Sequence, residues 1–167
     1  IAAMHIKKFQ LAINYFSKLI TLDPGNVIAI FKLARTYYKL KDYEHARISL
    51  QNGLLVDPDQ EQSEKMLGDI YRKNGNVKDA LEHYKLAIGI KGDYYQAYYS
   101  LGSLFLSKGS LVDAQNALMN AIALDPTYSK AYGTLGTVEQ ELGNIDESIK
   151  NYLEAVKYDK KAYDIYY

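Results

Sequence analysis

The sequence predicts an all-α solenoid, a row of stacked antiparallel helix hairpins, and two observations support this fold class. The first is a pattern that returns every 34 residues without an insertion or deletion. Its members are a Leu followed by a small residue, a turn Gly and an Ala, as in Leu67-Gly68, Gly75 and Ala80, and again in Leu101-Gly102, Gly109 and Ala114. The second is apolar spacing of three and four residues, which is typical of amphipathic helices. Self-similarity at such a period indicates a stacked-repeat architecture.

The period divides the chain into four full units flanked by two incomplete ones. The expected bounds are a partial unit at 1–26, full units at 27–60, 61–94, 95–128 and 129–162, and the start of a further unit at 163–167. Because the outer units are incomplete, we expect the chain to be a piece of a longer protein. Each full unit is expected to hold two helices, A then B, joined by a turn so short that they pack antiparallel.

The incomplete first unit is expected to follow the same plan. Residues 1–6 would be the last turns of its helix A, and Phe9–Leu22 would be its helix B, with Ala12 and Phe16 on the apolar face. Pro24 and the Gly25-Asn26 pair would end this helix, because Pro disfavours helix in the residue before it and Gly-Asn is turn chemistry.

The turns between helices A and B carry recognisable end signals. They are Lys41-Asp42, Gly75-Asn76, Gly109-Ser110 and Gly143-Asn144. Gly just past a helix end adopts the left-handed conformation without a Cβ clash, and the Asp, Asn or Ser that follows is expected to cap the next helix. Asn144, with Glu147 three residues later, has the form of a capping box.

Small residues recur where helices A and B would cross. They are Ala34, Gly68, Gly102 and Gly136 in helix A, and Ala46, Ala80, Ala114 and Ser148 in helix B. Close helix approach needs small side chains at the crossing, so these positions predict tight hairpins. Leu67, Leu101 and Leu135 are expected to be buried between hairpins.

The whole pattern resembles the tetratricopeptide repeat (TPR), a unit of about 34 residues made of two helices. Counted from the start of each unit, the matching positions are a bulky residue at 4, Leu at 7, a small residue at 8, an aromatic at 11, Gly at 15, Ala at 20, an aromatic at 24, Ala at 27 and Pro at 32. Glu64 at position 4, Glu139 at position 11, and Gly92 and Lys160 at position 32 depart from it. The resemblance implies a right-handed superhelix of hairpins.

Composition and motifs point away from several classes of function. The formal net charge is zero, from 20 basic and 20 acidic residues, so bulk charge gives no reason to expect nucleic acid. Cysteine is absent, no apolar run approaches a membrane span, and no catalytic or phosphate-binding motif is recognisable. His5, His45 and His83 lack ligand-like spacing, so we expect no metal, no cofactor and no enzyme activity. The compartment is left open, with the cytoplasm favoured.

The resemblance also implies a binding surface. In the family, helix A lines the concave face of the superhelix, with positions 2, 5, 6, 9, 12 and 13 pointing into the groove. The groove residues carried over to this chain are Phe31, Lys32, Arg35, Tyr38, Lys39, Lys65, Met66, Asp69, Arg72, Lys73, Tyr99, Ser103, Lys130 and Thr134. The first two units supply cationic and aromatic groups, which suit a peptide carrying acidic residues.

Tyrosine is abundant, with 17 copies, and most are expected to replace other bulky residues in the core. The tyrosines assigned to packing are Tyr37, Tyr71, Tyr84, Tyr98, Tyr132 and Tyr152. The leading hypothesis is therefore a non-catalytic protein–protein interaction scaffold that binds a peptide or protein segment in the groove. Two alternatives stay open: a self-assembling scaffold that forms homo-oligomers through repeat ends or concave contacts, and the targeting arm of a larger enzyme.

Overall fold

A computed structural model describes residues 2–159, with the side chains described from residue 7 onward. Nine α-helices and no strand occupy this range, which confirms the all-α class. In chain order they are α1 (Ala2–Leu22), α2 (Val27–Lys39), α3 (Tyr43–Val56), α4 (Glu61–Lys73), α5 (Val77–Ile90), α6 (Tyr95–Ser107), α7 (Leu111–Leu124), α8 (Ser129–Glu141) and α9 (Ile145–Tyr158). None of these helices pairs the length with the apolar composition that crossing a bilayer requires.

The chain forms two compact units, Ile1–His83 and Tyr84–Tyr167, here called the N-terminal and the C-terminal unit. In the N-terminal unit α2 packs against both α1 and α3, and α3 continues the stack onto α4. In the C-terminal unit α6 pairs with α7 and α8 with α9, while α7 joins the two hairpins by packing on α8. The packed pairs α2 and α3, α6 and α7, and α8 and α9 are each joined by a short turn, which makes them antiparallel hairpins.

The predicted small residues lie where the helices cross. A Cβ on Gly102 would come 2.7 Å from Cγ of Leu118, and a Cβ on Gly136 would come 2.8 Å from the ring of Tyr152. Neither gap admits a methyl group, so each glycine is required by close approach. Ala114 is fully buried at the same crossing in helix α7. The predicted burial of Leu67, Leu101 and Leu135 is likewise confirmed.

The hairpin turns have the predicted left-handed residue. Gly75, Gly109 and Gly143 have φ values of 77°, 71° and 85°. Lys41 takes the same conformation, with φ 62°, although its Cβ makes that conformation unfavourable. The first hairpin turn is therefore strained where the other three are not.

The capping prediction holds only in part. Asp42 accepts the backbone N–H of His45 at 3.2 Å, and Asn76 accepts that of Asp79 at 3.3 Å. Ser110 and Asn144 make no side-chain capping bond. The predicted capping box at Asn144 is therefore wrong. The reason is a stronger competing partner: the Asn144 amide donates to the Glu139 carboxylate at 2.8 Å.

The prediction of two helices near the N-terminus is also wrong. Residues 1–6 and Phe9–Leu22 were expected to be separate helices, but α1 runs without a break from Ala2 to Leu22. The two residues at the expected turn are Lys7 and Lys8, which supply neither a left-handed glycine nor a capping oxygen. Both are good helix formers, so the helix continues through them. The expected further unit at 163–167 lies outside the described residues.

Two carboxylates that interrupt the repeat pattern are buried, and each has partners. Glu64 Oε2 lies 2.6 Å from Nδ1 of His83, whose ring stacks on Tyr71 with centroids 5.1 Å apart. Glu139 accepts hydrogen bonds from the side-chain amides of Gln115 at 2.7 Å and of Asn144 at 2.8 Å. Burial of these polar groups is tolerated because each is hydrogen-bonded.

Candidate functional site

The predicted groove residues of α2 line a cavity of about 340 Å³ in the N-terminal unit. Phe31, Lys32 and Arg35 lie on one wall, together with Val27 and Ile28 from the first turn of the helix. Their spacing of three and four residues brings them onto one face of α2. Lys32 and Arg35 are exposed, and among the described residues neither has an ion-pair partner.

The opposite wall comes from the α3–α4 connection and the first turn of α4. It is made of Asp57, Asp59, Gln60, Glu61 and Gln62. Two hydrogen bonds hold this wall in place: the Gln60 side-chain amide donates to the carbonyl oxygens of Gly53 at 2.9 Å and Asp57 at 2.8 Å. Asp57 in turn accepts the backbone N–H of Asp59 at 3.1 Å. The cavity is therefore largely pre-formed.

A second cavity of about 410 Å³ lies between α1 and α2 and contains the predicted groove residue Lys39. Lys32 and Arg35 border this cavity too. Its other lining residues are Lys8, Phe9, Ala12, Phe16 and Thr36. Four cationic side chains and no carboxylate surround it, so anionic groups are favoured here.

The predicted groove residues of α4 are mostly engaged with one another or with the core. Lys65 Nζ lies 2.7 Å from Asp69 Oδ2, and both side chains are largely covered. Lys65 is therefore a neutralised cation, because its partner follows four residues later on the same helix face. Met66 packs against the core of the N-terminal unit. Arg72 and Lys73 remain exposed at the end of α4.

Tyr38 was predicted as a groove side chain but is half-buried. Its ring lies 5.4 Å from that of Tyr43, and it packs against the core cluster around Leu50. Burial raises the pKa of the Tyr38 hydroxyl, and the nearby Asp69 carboxylate adds to this rise. The Tyr38 hydroxyl is therefore neutral across the physiological pH range, so Tyr38 acts as an aromatic packing residue with a polar tip.

In the C-terminal unit the groove face of α6 is built from tyrosine rather than from charge. The ring of Tyr128 meets Tyr95 at 5.0 Å and Tyr99 at 5.2 Å, both edge to face. Edge-to-face packing is the favoured geometry for aromatic pairs. Burial raises the pKa of the Tyr95 hydroxyl, with the Asp125 carboxylate as the next cause.

The other predicted groove residues of the C-terminal unit are small or exposed. The Ser103 hydroxyl oxygen is buried, and it is the one buried side-chain oxygen or nitrogen without a hydrogen-bond partner among the described residues. Lys130 is exposed, while the Thr134 hydroxyl donates to the Lys130 carbonyl at 2.9 Å.

The described residues do not assemble a metal centre. No group of three potential ligands from His, Cys, Asp and Glu occurs among them. His83 pairs with Glu64, and His45 contacts Asp42 at 2.9 Å while stacking on Tyr37. The side chain of His5 lies outside the described part. The tyrosines assigned to packing follow the prediction at Tyr84, which is fully buried, but Tyr152 stays 37% exposed.

Sequence reasoning missed half of the cavity. Asp57, Asp59 and Gln60 follow helix B rather than helix A, so the groove pattern of the family did not include them. Tyr128 was missed for the same reason. A signal was present, because Gln60 and Tyr128 occupy the last position of their units and are followed at once by the next groove helix.

Comparisons with known proteins agree with the helical-hairpin architecture. Models of the tetratricopeptide repeat match residues 4–70, 95–128 and 129–161, and a TPR repeat model matches residues 68–109. Among curated proteins, the small glutamine-rich tetratricopeptide repeat-containing protein 2 of Saccharomyces cerevisiae is 32% identical over 91 residues. The aligned segment covers 54% of this chain and 26% of that relative, so the chain spans about a quarter of its length.

Solved structures resemble the chain over nearly its full length. The structure of MamA is 26% identical, covers 96% of this chain and 94% of its own, and superposes with a TM-score of 0.80. YrrB, described as a TPR protein with an unusual peptide-binding site, is 18% identical, covers 93% of this chain and 80% of its own, and has a TM-score of 0.70. The likeness to YrrB concerns the fold.

Proposed function

Because this chain belongs to the tetratricopeptide repeat family, we propose that it is a non-catalytic scaffold that binds a peptide or protein segment carrying acidic residues on its helix A faces. One observation carries the proposal: Lys32 and Arg35 stand exposed beside Phe31 in a pre-formed cavity, and no described residue neutralises them. Cations beside an aromatic anchor are typical of peptide-binding surfaces. YrrB, which has a similar fold, is described as a TPR protein with an unusual peptide-binding site, and this description supports the proposal.

The proposed contribution of the scaffold is a rigid binding surface, without a catalysed reaction. The cavity walls are held by the Gln60 hydrogen bonds and by the packing of α2 on α3, so binding does not have to order them first. A pre-organised receptor loses less conformational entropy on binding. Lys65 is already paired with Asp69 and contributes little free charge. The proposed binding cations are therefore Lys32 and Arg35.

A double charge reversal, Lys32→Glu with Arg35→Glu, tests the proposal. The purified protein is applied to an array of synthetic peptides graded in acidic content, and the best binders are measured by fluorescence polarisation. The variant is expected to bind them at least about tenfold more weakly. The matched control is Lys18→Glu with Lys78→Glu, which changes the net charge equally at exposed sites away from the cavity. Equal affinity of the variant and this control would overturn the assignment.

Self-assembly is a second candidate, favoured by one observation in the C-terminal unit. Helix α9 exposes four aliphatic side chains along one stretch: Ile145, Ile149, Leu153 and Val156. Such a row is a common feature of interfaces between proteins. The test is light scattering across a concentration series, with wild type beside Ile149→Lys with Leu153→Lys. A concentration-dependent dimer that is lost in the variant would support it, and a monomer throughout would remove it.

A further inference from the structure

The two walls of the 340 Å³ cavity carry opposite charges. Lys32 and Arg35 are on the α2 wall, while Asp57, Asp59 and Glu61 are on the wall formed by the α3–α4 connection and the start of α4. Ion pairs between exposed side chains form only where the charged groups come within about 4 Å of each other. These five side chains form none with one another or with any other described residue. The cationic and the acidic side chains therefore line opposite walls of the cavity without pairing.

Apolar surface lies on the same α2 wall as the cations. Ile28 is 69% exposed in the first turn of α2, and Phe31, half-buried, follows one turn later on the same face. An exposed aliphatic side chain beside an aromatic ring offers an anchoring place for an apolar group of a ligand. The cavity therefore combines cations, carboxylates and an apolar surface in one pre-formed space.

A ligand with charge of one sign fits only one wall. A purely acidic segment gains attraction from Lys32 and Arg35 but is repelled by the three carboxylates opposite, and like charges brought together cost binding energy. Repulsion of this kind is a common source of specificity. A ligand that carries both signs gains attraction at both walls, because each of its charged groups faces its complement.

We infer that the cavity selects a peptide segment in which an apolar residue lies between an acidic and a basic one. The acidic side chain would face Lys32 and Arg35, the basic side chain would face Asp57, Asp59 and Glu61, and the apolar side chain would contact Ile28 and Phe31. This inference rests on the proposed function and narrows its partner from an acidic segment to a segment of mixed charge.

Four synthetic peptides of equal length test the inference. Each has a Leu-Leu centre, with Glu on both sides, Lys on both sides, or one of each in either order. Fluorescence polarisation is expected to show the tighter of the two mixed peptides binding about tenfold more strongly than the all-Glu peptide. The all-Lys peptide is expected to bind more weakly than both mixed peptides, because Lys32 and Arg35 repel it.

Reversal of the carboxylate wall provides the decisive variant. In Asp59→Lys with Glu61→Lys, the all-Glu peptide is expected to become the tightest ligand, gaining about tenfold. The control, Glu82→Lys with Asp93→Lys, makes the same charge change at exposed sites outside the cavity and should leave the peptide order unchanged. Circular dichroism confirms that each variant keeps its helical content.

Two results would overturn the inference. The first is an all-Glu peptide that binds wild type as tightly as the mixed peptides; the second is an all-Glu affinity that the carboxylate reversal does not raise. The proposed function survives both results if Lys32→Glu with Arg35→Glu still abolishes peptide binding. If that variant binds like its own control, the proposed function fails as well.

Discussion

The same place in the repeat is an open charged cavity in the N-terminal unit and a tyrosine cluster in the C-terminal unit. In the first, position 34 is Gln60, which turns back to hydrogen-bond the carbonyls of Gly53 and Asp57. In the second, position 34 is Tyr128, whose ring packs on the helix A that precedes it. Position 34 is therefore part of a charged cavity in the N-terminal unit and part of an aromatic cluster in the C-terminal unit.

Repeat positions 1 and 5, next to position 34 in space, are also tyrosines in the C-terminal unit. Where α2 presents Val27 and Phe31, α6 presents Tyr95 and Tyr99, and both of these rings contact Tyr128. The backbone plan is shared, because the hairpins, crossings and turns repeat in both units. The repeat therefore determines the fold, while a few positions at the start and end of each unit determine which side chains its surface presents.

Alanine substitutions at position 34 of the two units distinguish a residue that stabilises the fold from one that shapes the cavity. Tyr128→Ala should lower the free energy of unfolding by about 2 kcal/mol, because it removes two edge-to-face ring contacts from a half-buried site. Gln60→Ala should cost only about 1 kcal/mol, since it removes three hydrogen bonds at the partly buried cavity wall without removing a large apolar group. Urea denaturation followed by circular dichroism measures both. Equal losses would show that the two residues hold their units in the same way.

Much of the fold could be predicted from the sequence because it depends on local spacing. The hairpins, the left-handed turn residues and the buried leucines follow from a period that each unit repeats. Hydrogen bonds between side chains could not be predicted from residue spacing. Asn144 bonds to Glu139 rather than capping its helix, and Lys65 is paired with Asp69.

The lining of the cavity could be predicted only in part. Phe31, Lys32 and Arg35 were predicted as groove residues because helix A has a known face, and these three residues line the cavity. The carboxylate wall was missed because the α3–α4 connection has no periodicity, so its direction depends on the Gln60 hydrogen bonds. Hydrogen bonds of this kind depend on the path of the folded backbone, and residue spacing alone does not predict them.

The second prediction gives the N-terminal unit the tyrosine that the C-terminal unit has at position 34. In Gln60→Tyr, the new ring is expected to pack on Val27 and Phe31, as Tyr128 packs on its own neighbours, and so to occupy the cavity. Affinity for the mixed-charge peptide should fall about tenfold. Gln60→Asn is the control, because it keeps an amide and adds no bulk. Retained affinity in the tyrosine variant would show that the ligand binds elsewhere.

A third prediction concerns the hairpin turns, which also differ between the units. Lys41 has the left-handed conformation that both turns of the C-terminal unit, at Gly109 and Gly143, assign to glycine. Lys41→Gly should therefore raise the free energy of unfolding by about 1 kcal/mol, by relieving the Cβ strain. Thermal melts give the comparison, with Gly109→Ala expected to lose a similar amount. A destabilised Lys41→Gly protein would contradict the strain.

The smallest effect is a pH dependence confined to the first hairpin. Hydrogen bonding from His45 lowers the pKa of the Asp42 carboxyl. A carboxyl with a lowered folded pKa contributes stability above its unfolded pKa, near 4, and loses it as pH falls through the folded value. Solvent screens this exposed pair, so the contribution is about 0.5 kcal/mol.

Asp42→Asn isolates this contribution, because Asn keeps the capping oxygen and removes the charge. Melts recorded from pH 6 down to pH 2 should show wild type more stable at pH 6 and equal to the variant at pH 2. Ser110→Ala serves as the control in the C-terminal unit, where no side-chain capping bond exists to be lost. A stability difference that does not depend on pH would refute the electrostatic cause.

The two buried carboxylates have a consequence for folding fidelity. In a self-similar chain the leucines and small residues of one hairpin fit the helices of another almost as well, which invites mispairing and domain swapping. Glu64 is satisfied only by His83, and Glu139 only by the amides of Gln115 and Asn144, among the described residues. A mispaired hairpin would leave a carboxylate buried without a partner, at a cost of about 1–3 kcal/mol or more. These hydrogen-bonded pairs therefore favour the native pairing among helices whose apolar faces are otherwise similar.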